Sequence, residues 1–161
     1  MYIVELLRGL PHELAVIIIS AIPIIEVRGA VPISLIYFKL PVVTTFFLNL
    51  IGSLLPVFPI LWFLTYFTEW LRKKNRAFDR FIAWLFARTR ARSKVIEEFE
   101  LLGLILFIGI PLPGTGVWTG TIAAYLLGLR WLPTFFAAAI GTAIAIILVS
   151  AASLGIINFI L

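Results

Sequence analysis

The sequence predicts an all-α integral membrane protein, built as an inverted repeat in which each half combines a re-entrant helical hairpin with a transmembrane helix. Hydrophobic residues make up 62% of the 161 residues and charged residues only 13%. Apolar stretches at 14–38, 42–70, 101–128 and 132–161 each reach the ~20 residues that a membrane-spanning helix needs. The first and third of these stretches are interrupted by prolines and glycines, and those interruptions predict the hairpins.

The composition also limits the class of protein. A mean hydropathy of +1.12 leaves too little polar surface for a soluble domain. We therefore expect residues 1–161 to form one multi-pass domain in the plasma membrane. Cysteine is absent, which excludes disulfides and thiolate chemistry. No motif for a metal, a cofactor or a catalytic nucleophile is present, so an enzyme is not expected.

The first interruption contains Glu26 and Arg28, the only charged side chains deep within the hydrophobic stretches. A charge at the bilayer centre costs at least ~2.5 kcal/mol on insertion scales, so each should face a cavity or a partner. An irregular turn ending at Gly29 would let both side chains point into the same space. Pro32 suits the first turn of a new half-helix, whose N–H groups would form an anion cradle with Arg28.

The second interruption runs from Pro111 to Gly120 and carries no charge. Its glycines supply flexible backbone, and Thr115 is expected to cap the second half-helix. Trp118 either lines a cavity with its aromatic face or fills the gap between the hairpins. The predicted substrate or ion site comprises Glu26, Arg28, Gly29, Pro32, Pro111, Pro113, Gly114, Thr115, Gly116, Trp118 and Gly120.

Two sequence offsets indicate an internal duplication. A shift of about 88 residues places Ile22-Pro23 on Ile110-Pro111, and a shift of about 89 places residues 46–53 on 135–142. The predicted repeats are residues 10–70 and 100–160, joined by a basic segment at 72–100. Nine of the 13 Lys and Arg residues lie between positions 72 and 94, which places this amphipathic interfacial segment in the cytoplasm.

Two topologies remain open at this stage. If each interrupted stretch enters and leaves on one side, the halves are inverted, with Lys39 outside and Arg130 inside. Four ordinary spans would instead make the halves parallel and place Lys39 and Arg130 together outside. The prolines and glycines favour the hairpins, because plain spans cannot satisfy the backbone groups that such residues free.

Glu26 is the candidate proton carrier of the predicted site. Burial favours the neutral form of a carboxyl group, whereas a neighbouring guanidinium favours the charged form. Its protonation would therefore respond to what the site binds. The structural alternative is a permanent Glu26–Arg28 pair that fastens the hairpins together.

The motifs at residues 26–32 and 111–120 resemble the small multi-drug export protein family over nearly the full length of the chain. They are also similar, more distantly, to DedA-type membrane proteins. The first resemblance implies drug export; the second implies transport of lipid phosphates and dependence on protons. The second motif lacks the acidic residue of the fuller DedA pattern.

The sequence therefore predicts a small secondary transporter, with proton coupling through Glu26 and with protons and membrane lipids as partners. The substrate would be a phosphate-bearing lipid or an amphipathic drug-like molecule, and a homodimer is a compatible assembly. Nucleic acid is not an expected partner, because the basic segment would face anionic lipid. The alternative is a non-transporting scaffold or lipid-binding protein.

Overall fold

A computed structural model describes residues 9–74, 76, 79–80, 82–84, 94–112 and 114–160. These residues form helices and connecting turns without a strand, which confirms the predicted all-α class for the described chain. The helices are α1 His12–Ala21, α2 Glu26–Pro32, α3 Val42–Leu54, α4 Val57–Lys74, α5 Lys94–Gly109, α6 Val117–Leu126 and α7 Trp131–Ile160. A π-helical segment, Ile33–Tyr37, continues α2.

Two helical runs are long and apolar enough to cross a bilayer. They are Val42–Lys74, which contains α3 and α4, and Trp131–Gly155 within α7, with mean hydropathies of 2.0 and 2.3. Much of their apolar surface is exposed; the Trp62 side chain, for example, is 71% exposed. A surface of this kind is stable in lipid rather than in water. The structure and the composition together indicate a membrane protein.

Proline defines several helix boundaries. α1 ends at Ala21 because Ile22, which precedes Pro23, adopts an extended conformation with φ −77° and ψ 128°. Pro56 separates α3 from α4, where a proline removes a helical hydrogen bond. Residues 22–25 are called the first break below, and residues 110–116 the second break.

Two local predictions were wrong. The half-helix after the first break begins at Glu26, so Pro32 ends α2 instead of starting a new helix. The π-helical segment Ile33–Tyr37 follows directly after this proline. At the second break the residue before α6 is Gly116, which has no side chain, so Thr115 does not cap α6.

The predicted basic helix at 72–100 is only partly described. Residues 72–74, 76, 79–80, 82–84 and 94–100 are helical. Arg72 pairs with Asp79 at 2.6 Å, and the Lys74 ammonium lies 4.8 Å from the centre of the Trp70 ring. The remainder of this predicted helix lies outside the described residues.

The helices pack in matching pairs. α1 packs on α3 and α5 packs on α7, while α2 packs on α7 and α6 packs on α4. The contacts of α2 with α7 and of α6 with α4 each bury an apolar cluster. One joins Val57 of α4 to Val117 and Ala124 of α6, and the other joins Val31 of α2 to Ile146 of α7.

Close backbone contacts occur at equivalent places in the two halves. A Cβ added to Gly52 would overlap the Ile17 carbonyl oxygen, and a Cβ added to Gly141 would lie 2.8 Å from the Ile105 carbonyl oxygen. These glycines are 89 residues apart and their partners are 88 apart, the offsets found in the sequence. Each glycine lets a long helix approach the helix that precedes a break.

We expect Gly52→Ala and Gly141→Ala each to lower the free energy of unfolding by about 1–3 kcal/mol, because the added methyl group displaces a packed backbone. Gly155→Ala in α7 is the matched control, since a Cβ there has no atom within 4 Å, and it should leave stability unchanged or raise it by up to about 1 kcal/mol, because alanine favours a helix over glycine. Unfolding in mixed detergent micelles measures all three. Equal stabilities of the three variants would contradict the close contacts.

Candidate functional site

The residues that flank the first break contact the second break and the start of α6, and three hydrogen bonds between described residues connect them. Arg28 Nη2 donates to Thr115 Oγ1 at 2.5 Å, the Trp118 backbone N–H donates to Glu26 Oε1 at 3.3 Å, and Trp118 Nε1 donates to the Ala21 carbonyl at 3.0 Å. Residues about 90 positions apart are thereby brought into one polar centre.

Glu26 and Arg28 form an ion pair at this centre. Arg28 Nη1 lies 3.0 Å from Glu26 Oε2, and the Arg28 and Glu26 side chains are 26% and 8% exposed respectively. Side chains at positions i and i+2 of a regular helix point to different faces. They meet here because Glu26 has φ 44°, a left-handed conformation that costs a residue other than glycine about 1–2 kcal/mol.

Gly116 gives the carboxylate access to the second break. Its φ of 152° and ψ of −171° belong to a region that is essentially restricted to glycine. A Cβ at this position would overlap the Glu26 carboxylate. The lack of a side chain therefore lets Glu26 reach the N-terminus of α6.

Thr115 holds the second break in shape while it binds Arg28. Its hydroxyl oxygen lies 3.0 Å from the Ile110 carbonyl and 2.9 Å from the Leu112 carbonyl. The single hydroxyl proton can be donated to either carbonyl, and the oxygen lone pairs accept from the guanidinium.

A small cavity lies beside the ion pair. Its volume is about 10 Å³, which is about the space of one water molecule. Two buried polar atoms at this cavity, Arg28 Nε and Thr142 Oγ1, have no hydrogen-bond partner. The cavity is lined by Glu26, Val27, Arg28, Ile108, Gly116, Val117, Thr142 and Ala145. The site is therefore closed to anything much larger than water.

Trp118 also forms the wall of a larger apolar groove. This groove has a volume of about 360 Å³. It is lined by Pro59, Ile60, Phe63, Leu64, Trp118 and Ile122. Trp118 also bonds to Glu26 and Ala21. This residue therefore contacts the polar centre on one side and the apolar groove on the other.

The structure brings together five of the residues that the sequence singled out: Glu26, Arg28, Thr115, Gly116 and Trp118. Of the described candidates, Glu26, Arg28 and Gly116 line the small cavity, whereas the others do not: Gly29, Pro32, Pro111, Gly114, Thr115, Trp118 and Gly120. A Cβ at Gly29 would overlap Ile25, and one at Gly120 would lie 2.6 Å from Ile108 Cγ1, so both positions are needed for packing. Pro113 lies outside the described residues.

The sequence favours Thr142 as a small packing residue and as a hydrogen-bonding group that supports the site, but does not place it in the site itself; the structure shows it fully buried at the cavity. The repeat offset of 89 residues could have drawn attention to Thr142. This offset aligns Thr142 with Ser53, and each is a polar residue that directly follows a glycine, Gly141 and Gly52 respectively. Among the described residues, no group of three or more His, Cys, Asp or Glu side chains is placed to hold a metal ion.

A family model described as "Putative small multi-drug export protein" matches residues 26–148. The chain belongs to this family. The match starts at Glu26 and includes every residue of the polar centre except Ala21. Membership of an export family points to a membrane transporter rather than an enzyme. No curated protein and no solved structure matches the chain significantly, and the likeness to DedA-type proteins stays a prediction.

Proposed function

We propose that the protein is a small secondary transporter of the plasma membrane whose substrate passes between the two breaks. The observation that carries this proposal is the buried Glu26–Arg28 pair, which is bonded across the breaks to Thr115 and Trp118. Intramembrane ionisable residues that face a protein interior commonly mark a transport pathway. The alternative is a non-transporting scaffold, in which the same pair would only fasten the two breaks together.

We further propose that the two halves are inverted repeats with re-entrant hairpins. Helices α1 and α6 have ten residues each, or about 15 Å at 1.5 Å per residue, which is half the ~30 Å hydrocarbon core. The helix pairs match between halves, because each half-helix after a break packs on the long helical run of the other half. The equivalent glycine contacts at Gly52 and Gly141 support the same symmetry.

The polar contacts that join the two breaks are few and individually weak. The three hydrogen bonds across the breaks contribute about 0.5–1.5 kcal/mol each, with more for the bond to the charged guanidinium. A substrate that binds the separated breaks more tightly than the joined ones can supply such an energy. We infer that the closed cavity is one stage of an alternating-access cycle.

The substrate is proposed to be amphipathic, as either a phosphate-bearing lipid or a drug-like molecule. Its polar group would enter beside Glu26 and Arg28, and its apolar part would occupy the groove next to Trp118. Glu26 is the candidate proton carrier, because it is the carboxylate at the joined breaks. Membrane lipids and protons are the proposed partners, and a homodimer is compatible with this scheme.

Transport by the full chain in sealed vesicles tests the proposal. The probes are ethidium as a drug-like cation and a fluorescent phosphatidic acid as a phosphate-bearing lipid. We expect Glu26→Gln to reduce transport of the substrate at least tenfold while the protein stays folded. Glu13→Gln is the matched control, since Glu13 is exposed on α1, and it should retain full activity.

Transport of either probe that is unchanged in Glu26→Gln would contradict the assigned site. Absence of transport of both probes by the wild type, together with loss of stability or lipid binding in the variant, would favour the scaffold.

A further inference from the structure

We propose that the Glu26 carboxylate occupies an anion site in the closed protein, and that the transported molecule carries a phosphate or carboxylate group that replaces it. This inference rests on the proposed function and specifies its substrate class. Glu26 would act as a tethered substitute for the substrate's own anionic group. Release of Glu26 from this place would leave the site free for that group.

The groups bonded to the carboxylate are hydrogen-bond donors. Arg28 Nη1 lies 3.0 Å from one oxygen, and the Trp118 backbone N–H lies 3.3 Å from the other. Trp118 is the second residue of α6, a ten-residue helix without a side-chain cap. The uncapped N–H groups of a helix N-terminus attract an anion, and the guanidinium adds a full positive charge.

The same cavity offers donors that Glu26 does not use. The Thr142 side chain is fully buried, and its hydroxyl has no partner. Arg28 Nε, which can only donate, is buried and unpartnered as well. Buried polar groups are normally satisfied, so these two groups are available to bind a water or a polar group of a ligand that enters beside the carboxylate.

The electrostatic arrangement favours an anion over a cation. When Glu26 withdraws, the site retains Arg28, the N-terminus of α6 and the Thr142 hydroxyl, each of which can stabilise a negative group. A cation would have to displace Arg28 and would still face the positive end of α6. Gly116 leaves the carboxylate position open to another planar or tetrahedral anion, because no side chain obstructs it.

Chemical rescue tests this inference without a transport assay. Glu26→Ala removes a CH₂ group and a carboxylate, which are together nearly the size of acetate. We expect 100 mM acetate to raise the unfolding temperature of the detergent-solubilised variant by about 3 °C relative to chloride at equal ionic strength. The wild type, whose site is filled, should shift by less than about 1 °C.

The double variant Glu26→Ala, Arg28→Ala is the matched control and should show no rescue, because the guanidinium is gone. Glu26→Gly provides a second background, since glycine accepts φ 44° without strain. Absence of rescue in both single variants, equal rescue of the double variant, or rescue by tetramethylammonium in place of acetate would overturn the inference.

Two phosphate probes separate the sources of the anionic group. Inorganic phosphate represents a free anion, and butyl phosphate represents a lipid headgroup with an apolar extension into the groove. A larger shift with butyl phosphate supports an amphipathic substrate, and equal shifts support a small anion. If rescue fails while transport still depends on Glu26, the anion class is wrong and the proposed transporter stands.

Discussion

Replacing Gly116 by alanine is expected to lower the free energy of unfolding by about 3 kcal/mol and to abolish transport. Part of the loss comes from φ 152°, which alanine adopts only with strain of about 1–3 kcal/mol. The rest comes from the new Cβ, which would overlap the Glu26 carboxylate and force the two breaks apart. Detergent-induced unfolding measures the stability, and the vesicle assay measures the transport.

Substitutions at Gly114 and Gly103 separate the backbone strain from the steric overlap in the destabilisation expected for Gly116→Ala. Gly114 has φ 85°, but a methyl group at this position would meet open space, since no atom lies within 4 Å of it. Gly114→Ala should therefore cost about 1 kcal/mol through strain alone. Gly103 lies in α5 with neither strain nor a close neighbour, and Gly103→Ala should leave stability unchanged or raise it by up to about 1 kcal/mol, because alanine favours a helix over glycine. Equal effects at positions 114 and 116 would contradict the contact between Glu26 and the second break.

Replacing Arg28 by alanine is expected to lower the free energy of unfolding by about 2–3 kcal/mol. Loss of one partner from a buried ion pair typically costs about 3–5 kcal/mol, and the 26% exposure of Arg28 reduces that figure. Glu26→Ala should cost less, because the remaining arginine is more exposed than the glutamate and can reach solvent more easily. The same unfolding measurement in detergent gives both values.

The double variant Glu26→Ala, Arg28→Ala provides the decisive comparison for the ion pair. It should be more stable than Arg28→Ala alone, because it leaves no unpaired charge at the joined breaks. Arg130→Ala is the control for loss of an arginine, since Arg130 is exposed, and it should stay within about 0.5 kcal/mol of the wild type. Strictly additive single effects would show that the two charges do not interact.

Much of the site could be predicted because it depends on rare residues. Glu26 and Arg28 are the charges within apolar stretches, and the glycines and prolines of the second break interrupt an otherwise continuous hydrophobic run. Charged residues and helix breaks each carry a large energetic penalty in lipid. They are therefore rare in membrane segments, and their presence in the sequence indicates a special environment. The pairing of the two breaks followed from the repeat offsets.

The conformation of the site could not be predicted. Nothing in the sequence indicates that Glu26 adopts φ 44°, because only the tertiary contact with α6 makes this conformation favourable. The predicted place of Pro32 was also wrong: the half-helix begins at Glu26, and Pro32 is its last residue before a π-helical segment. Thr115 does not cap α6 because Gly116 is the residue that precedes the helix, and the Thr115 hydroxyl instead accepts a hydrogen bond from Arg28.

The proposed inverted arrangement of the halves is tested most directly by the sidedness of Lys39 and Arg130. The chain has no cysteine, so Lys39→Cys and Arg130→Cys each introduce a single labelling site, and both positions are exposed. An impermeant maleimide applied to intact cells should label position 39 at once and position 130 only after permeabilisation. Labelling of both positions from the same side would mean parallel halves and would contradict a transport site between opposed hairpins.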